Sequence, residues 1–470
     1  MNGEEDNNLS FAMRPLKFLK EITHQAARKA LALLPRRKRY RVFRFFAEYD
    51  PAPNPRLTFK IAETREELEA CFRLLHDTYV RRGFMQPDPS GLRVTIYHAL
   101  PTTTTLCAKY DGKVVGTLSL IRESAIGFPL QRIFDLTSIR GRRGNIAEAS
   151  ALAIHPDFQR QGGAVLLPLM KFMYEYCTTF SDTRHLVIAV NPRHVETYES
   201  LLFFRRLSGT VVDSYDFVNG APAVGATLDL KHAPDILRKH YGNRPLRRNL
   251  YHYFVAMQLP NIEMPSRRFY TTNDPVMTPD LIDYFFNQQT NAFARLSERK
   301  KALLHMIYDL PDYQKILPPL PQPGGEFKVR QHRRFSVKCP GRLAAPDDEG
   351  TSIAMEISEV SRYGFRARTR QPVTPDVWLT AVIQLGRQET SSLQVRCVQD
   401  IQFEGNHRYG FQIGEPDLIW RKFVNALYDG RTQGDQLHRH PVGDEQQHHR
   451  AEDQEGDRDV ADRRILRLIG

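Results

Sequence analysis

The run Ile146-Ala147-Glu148-Ala149-Ser150-Ala151-Leu152-Ala153-Ile154-His155-Pro156-Asp157-Phe158-Gln159-Arg160-Gln161-Gly162-Gly163-Ala164 decides the reading of this chain. Ala149 to Ile154 is an apolar run of strand length, and His155-Pro156-Asp157 interrupts it. Apolar residues at helical spacing resume from Ala164 to Met173. Gly162 and Gly163 fall at the turn into that helix, where the missing Cβ leaves room for a ligand. Free amides at a helix N-terminus attract anions, so strand, loop and helix together suit a phosphate or pyrophosphate. The same residues also suit an ordinary strand-to-helix connection.

The rest of the chain sets the bounds. Its 470 residues are enough for two or three domains, each with a full core. A formal charge of +12 and a pI near 9.4 favour acidic partners: a nucleotide, an acidic carrier protein, nucleic acid or anionic lipid. Cys71, Cys107, Cys177, Cys339 and Cys397 are odd in number and far apart, with no C-x-x-C pair, which implies neither a disulfide framework nor a zinc site. No run reads as a transmembrane helix or a signal-peptide cleavage pattern, so a reducing cytoplasm is expected.

In chain order, residues 1–56 read as a polar start, an amphipathic helix from Phe11 to Leu34 ended by Pro35, and a Pro-rich linker. The basic and aromatic run Arg36 to Phe46 suits either an anionic membrane surface, which would place the protein at the inner membrane, or packing on the next domain. From residue 57 the expected order is a strand (Leu57–Ile61), a helix (Glu66–Tyr79), and a hairpin (Leu106–Leu120) turning at Asp111-Gly112. The opening stretch follows, then a strand (Leu186–Val190) and a helix after Asn191. Residues 261–325 read as a helical connector and a Pro/Gly linker, with Thr278-Pro279-Asp280 as a helix start. Residues 326–428 switch to short alternating strands and a closing helix at Leu418–Tyr428, the pattern of a small β-barrel. Residues 429–470 form a polar tail expected to be disordered.

The spacing Gln159-x-x-Gly162-x-Ala164 after a strand ending in His155-Pro156 resembles the cofactor loop of the GNAT acyltransferases. Leu74-Leu75-His76-Asp77-Thr78-Tyr79-Val80-x-x-Gly83-Phe84, Glu148-Ala149-Ser150 and Asn191-Pro192-Arg193-His194-Val195-x-x-Tyr198 narrow the resemblance to N-acyl amino acid synthases, relatives of acyl-homoserine lactone synthases. It covers roughly residues 57–260. It implies an α/β GNAT fold, a mixed sheet with flanking helices, that moves a long acyl chain from acyl carrier protein or acyl-coenzyme A to an amino acid or similar amine. The lactone synthases carry an Arg just after their Glu-x-Ser, and here that position is Ala151, which speaks against a homoserine-lactone product.

Acyl transfer to an amine needs a free amine, a polarised thioester carbonyl, a held donor and a proton for the departing thiolate. Glu148, at the start of the central strand, is the candidate base for the amine's last proton, and Tyr198 the candidate acid near the leaving sulfur. The loop Gln159, Arg160, Gln161, Gly162, Gly163 and Ala164 would hold the donor's phosphate. Strand amides between Leu152 and Ile154 would polarise the carbonyl, and Asn191 would line the donor site. His155 suits a turn position better than a base, and Arg193-His194 suits either an acceptor carboxylate or solvent. No spacing suggests a metal site.

In the C-terminal unit, Arg330 and Arg334 flank a flexible approach to the barrel, and Glu359-Val360-Ser361-Arg362-Tyr363-Gly364 lies within it. Paired guanidiniums can fork onto phosphates and stack on guanine faces. The two stretches resemble the R-x-x-x-R and D/N-x-S-x-x-G motifs of PilZ domains. That implies a cyclic di-GMP site built from Arg330, Arg334, Glu359, Ser361 and Gly364, with Glu359 where Asp or Asn is usual. Three other functions remain open from sequence: a small-acyl acetyltransferase, a non-catalytic cyclic di-GMP effector, and nucleic-acid binding through Arg36 to Arg44, for which no reader motif is present.

Overall fold

The computed structural model describes residues 33–159, 163–273, 276–308, 310–320, 334–345, 348–403, 406–428 and 432. The expected helix at 11–34 lies almost wholly outside these, as do Arg160, Gln161, Gly162, Arg330 and the tail from 433.

Helix α1 (Arg36–Phe46) leads into strand β1 (Leu57–Ile61) and helix α2 (Arg65–Arg81), whose start is capped by Thr64 accepting from the Glu67 amide. The hairpin β2 (Thr103–Tyr110) and β3 (Lys113–Arg122) turns on Asp111 and Gly112, both at positive φ as a tight two-residue hairpin requires. Then come β4 (Asn145–Ile154), α3 (Leu166–Thr179), β5 (Thr183–Val190) and α4 (Pro192–Leu201). Short strands β6 (Arg205–Arg206) and β7 (Val212–Tyr215), strand β8 (Ala221–Asp229) and helix α5 (Ala233–Tyr241) complete this part. The sheet order is β1-β2-β3-β4-β5-β8-β6, with β7 paired to β8. The β4–β5 pair is parallel and its neighbours are antiparallel, giving the mixed sheet of a GNAT fold.

Apolar residues fill both faces of this sheet. Helix α3 covers one face with Leu169, Phe172, Met173 and Tyr176 against Leu118, Ala147 and Leu186. The other face packs against Leu68 and Phe72 of α2. The segment after residue 276 joins that second core through α6 (Pro279–Asp283, continued by a wider turn over Tyr284–Gln288) and α7 (Glu298–Ile307). Phe285 meets Phe72 edge-on at 5.1 Å, and Tyr284 Oη donates to Glu69 at 2.8 Å.

The C-terminal unit is a closed six-stranded barrel in the order β10-β11-β14-β13-β12-β9. Its strands are β9 (Phe335–Ala345), β10 (Asp348–Ser361), β11 (Gly364–Thr369), β12 (Trp378–Gln384), β13 (Thr390–Phe403) and β14 (Asn406–Ile413), with α8 (Leu418–Tyr428) over one end. Closure leaves no free strand edge. Phe269, ahead of the barrel in sequence, sits in its core against Phe423 at 5.0 Å. Lys338 on β9 pairs with Asp182, just before β5, at 2.5 Å.

The basic run after Pro35 forms helix α1, which packs against α4. Arg36 and Arg39 pair with Glu199 and Glu196 of α4, and Tyr40 Oη donates to Glu199 at 2.7 Å. Its charge is therefore partly consumed within the protein. Among the described residues no helix is long and apolar enough to cross a membrane. The described residues contain no cluster of His, Cys, Asp and Glu arranged to hold a metal ion.

Candidate functional site

Two local events on β4 create a cleft. Along β3, Thr117 pairs with Ala153 and Ser119 with Ser150, so Ala151 and Leu152 together oppose the single residue Leu118. Ala151 has φ of 53°, the left-handed turn of a β-bulge. On the other side, β4 follows β5 from Asn145 only to Glu148, which pairs with Val187. Beyond that rung the two strands part. The backbone of Ala149 to Ile154 has no β5 partner on that side, which leaves an open strand edge along the cleft, with the Ile154 carbonyl taken by Gln159 Nε2.

The cleft has a volume of about 200 Å3. One side is apolar and runs through the fork toward α3: Leu118, Leu152, Met170, Met173, Leu186 and Phe204 line it. The other is aromatic, formed by Tyr79 in the last turn of α2, Phe84 just after it, Tyr215 at the end of β7 and Phe217 beyond it, with exposed Arg82 alongside.

Glu148 lines the cleft where these sides meet and is 2% exposed. Burial pushes its carboxyl up to about 8, against the opposing pull of the Leu130 amide and the Ser150 hydroxyl. The Leu130 amide donates to Oε2 at 3.1 Å. Tyr79, Tyr97 and Tyr215 stand close enough for the charged carboxylate to add to the rise that burial gives their phenols. Tyr215 Oη is buried with no hydrogen-bond partner among the described residues.

Tyr198 also lines the cleft, packed edge-on against Phe204 with ring centroids 5.8 Å apart. Burial pushes its phenol up to about 12, and Arg82 opposes that rise. The turn after α4 fixes it: Phe203 at φ 62° lets the Phe204 amide return to the Tyr198 carbonyl at 3.2 Å.

Of the expected donor-side residues, Leu152, Ile154, Gln159 and Asn191 line the same cleft. Gln159 Nε2 donates to the Ile154 carbonyl at 2.7 Å and ties the loop to the strand end. Asn191 caps α4 by accepting from the Arg193 amide at 3.1 Å, so its side chain is committed to the helix start. Gly163 has φ of 81°, which favours glycine there. Gly163 and Ala164 border a second cavity of about 130 Å3, between the linker before β1 and the start of α3. His155 lies outside the cleft at the strand end. Arg193 is exposed and away from it, whereas its neighbour His194 is on the wall.

Sequence reasoning gave no role to Tyr79, Arg82, Phe84, Tyr215 or Phe217. Tyr79 and Phe84 belong to the Leu74–Phe84 stretch that carries the family resemblance. Tyr215 and Phe217 left only a two-residue alternation that many strands share.

In the barrel, Arg334, Glu359, Ser361 and Gly364 share a smaller cavity of about 70 Å3 with Arg366, Val398 and Gln399. Glu359 follows an irregularity in β10. Its Oε2 lies 3.4 Å from Arg334 Nη1 and 3.2 Å from Arg366 Nη1. Ser361 Oγ donates to the Gly364 carbonyl at 3.0 Å. A Cβ on Gly364 would meet the Phe411 carbonyl oxygen at 2.6 Å, so only glycine fits.

Residues 70–229 match the family model of the N-acyl amino acid synthase FeeM, about a third of the chain. Among curated proteins none matches this sequence. The solved FeeM, from uncultured soil microbes, is 25% identical over 39% of this chain and 95% of its own, with a TM-score of 0.34. A coenzyme A-dependent acyl-homoserine lactone synthase, BjaI, is 21% identical over 44% of this chain and 92% of its own, with a TM-score of 0.32. A GNAT-family acetyltransferase from Streptococcus pneumoniae is 13% identical over 37% and 98%, with a TM-score of 0.25. With the family model falling on the strands and helices that build the Glu148 cleft, this chain is an N-acyltransferase enzyme whose acyltransferase domain has the GNAT fold.

Proposed function

We propose that the enzyme moves a long acyl chain from a thioester donor, acyl carrier protein or acyl-coenzyme A, to the amine of an amino acid or similar acceptor. The observation that carries this reading is the position of Glu148 at the fork of β4 and β5, between an apolar channel and an aromatic wall. An acyl chain fits the channel toward Met173, since each buried methylene gains about 0.8 kcal/mol. An acetyl group would leave that space unfilled.

In this scheme the donor's pantetheine arm pairs with the open side of Ala149 to Ile154, and amides from Gln159 to Ala164 hold its phosphate. A backbone amide between Leu152 and Ile154 polarises the thioester carbonyl. The acceptor amine enters from the aromatic side. The amine attacks in its neutral form, and the Glu148 carboxylate takes the proton that the nitrogen loses as the carbon–nitrogen bond forms, directly or through water. The nitrogen adds to the carbonyl carbon, and the intermediate collapses with loss of the carbon–sulfur bond. Tyr198, protonated at neutral pH because its phenol titrates near 12, donates a proton to the departing thiolate. Amide and thiol leave, and the proton held by Glu148 passes to solvent, which reprotonates Tyr198.

The barrel acts here as a PilZ-type sensor of cyclic di-GMP. Two contacts support a link between the units: Lys338 with Asp182, and the strap 267–272. In the strap, Arg267 Nη2 donates to Tyr176 of α3 at 3.0 Å, while Phe269 is buried in the barrel. Helix α3 also supplies Met170 and Met173 to the cleft. The enzymatic reading is tested by following thiol release from a long-chain acyl thioester with an amino-acid mixture. Wild type is expected to turn over and Glu148→Gln and Tyr198→Phe to lose most of that rate; equal rates in all three would overturn the assigned roles.

A further inference from the structure

The barrel cavity contains its own anion. Glu359 places one carboxylate oxygen within 3.4 Å of Arg334 and 3.2 Å of Arg366, on the same wall as Ser361 and Gly364. More positive charge lies alongside. Arg368 and Arg408 face each other across β11 and β14, next to the Arg366–Gly410 pair. Burial and the neighbouring Arg368 and Arg366 lower the pKa of Arg408, and Glu359 opposes that fall. Glu356 stands 4.0 Å from Arg368. This is a concentrated patch of guanidinium charge whose innermost pair shares a single carboxylate oxygen.

Guanidinium forks bind carboxylate and phosphate oxygens with the same geometry. A carboxylate bridging two of them occupies the place a phosphate would take. Resting on the cyclic di-GMP reading above, we infer that Glu359 is an internal competitor for the phosphodiester site, and that Arg366 is a phosphate-binding residue of that site. To bind, the nucleotide displaces the Glu359 carboxylate from Arg334 and Arg366. The longer Glu side chain has the reach to bridge both arginines, and the site is thereby set to respond only to higher nucleotide concentrations.

The consequence runs against the usual effect of removing a site residue. Glu359→Gln removes the charge and keeps the shape, so it should tighten binding. Partly exposed ion pairs are individually weak, and relieving two of them corresponds to a gain in affinity of roughly twofold to thirtyfold. Adding Arg366→Ala to Glu359→Gln should erase that gain.

The experiment is calorimetric titration of cyclic di-GMP into the full chain: wild type, Glu359→Gln, and Glu359→Gln with Arg366→Ala, each checked by thermal unfolding. Tighter binding by Glu359→Gln, reversed in the double variant, supports the inference. Binding by Glu359→Gln but not by wild type also supports it, while contradicting nucleotide sensing by the natural protein. Wild-type binding that Glu359→Gln leaves unchanged or weakens overturns the inference and leaves the sensing reading standing. Absence of binding by all three proteins overturns both.

Discussion

Glu148 and Val187 form the last rung of the parallel ladder between β4 and β5. Every residue of β4 beyond that rung lies along an open fork, so the buried Glu148 carboxylate stands where a thioester and an amine can meet. The bulge at Ala151 and Leu152, on the opposite edge of the same strand, keeps the fork apart from the β3 ladder.

Replacing Glu148 by Gln should lower kcat by about 10^2- to 10^4-fold, the range for loss of a general base, with a small change in KM. In the wild type, kcat/KM should rise with pH through an apparent pKa near 8, because the carboxyl must lose its proton before it can act. Initial rates between pH 6 and 9.5 on both proteins check this; a flat wild-type profile would remove Glu148 from the base role.

The same group links pH to stability. Its folded-state pKa lies near 8 and an unperturbed Glu near about 4.3, so the folded state binds the extra proton between those values. Its contribution to stability is fully present below about pH 4 and is lost progressively as pH rises to about 8. Glu148→Gln has no such loss. The variant's Tm should therefore match the wild type's at pH 4.5 and exceed it by several degrees at pH 8.5.

Chain-length preference should follow the apolar side of the cleft. Met173, buried between α3 and the fork, can give way to a larger rigid ring only by filling the channel. Met173→Trp should lower kcat/KM for the longest acyl thioesters about tenfold relative to short ones, the cost of shutting out roughly two methylenes. A competition assay with mixed chain lengths reads that ratio directly.

Glu199 is nearly buried and meets Arg36, Tyr40 and Arg206 at one carboxylate. Glu199→Ala leaves cations without their partner and loosens α1 on the helix that carries Tyr198, to which Arg39 still pairs through Glu196. A loss of about 1 kcal/mol is expected, because Arg36 and Arg206 keep enough solvent contact to be screened once their partner is gone. Denaturant unfolding would measure it, and proteolysis near Arg36–Phe46 should speed up.

Lys338→Ala cuts the barrel's ion pair to Asp182 while touching neither cavity. Basal turnover and nucleotide affinity should be unchanged, and the ratio of turnover with and without cyclic di-GMP should move toward one, from above or from below. Measuring both quantities on one preparation separates lost coupling from lost binding.

The fold was largely legible because its strongest signals are local. The Asp111-Gly112 turn, the Thr278 helix start and the strand-to-helix run at Ala149–Met173 carry their own chemistry. Elements that depend on distant partners were harder to read. Helix α1 looks like a charge run until Glu196 and Glu199 stand opposite it. Strand β9 contains Pro340 and Gly341, which read as breakers, yet Pro340 pairs with Glu356 across the barrel wall. Strand β8 likewise carries Pro222 and Gly225. The site divides in the same way: Glu148 and Tyr198 lie in motif-like stretches, whereas the wall of Tyr215 and Phe217 is assembled only by the pairing of β7 with β8. Arg366 escaped notice because its part in the barrel cavity comes from its register opposite Glu359.

The central claim is most directly tested by incubating the full-length protein with a long-chain acyl carrier protein, or the matching acyl-coenzyme A, and a mixture of amino acids, and analysing products by mass spectrometry. The account predicts a long-chain N-acyl amino acid that wild type makes and Glu148→Gln does not. Free thiol and fatty acid without any N-acyl product, or acetyl transfer in preference to long-chain transfer, would contradict it.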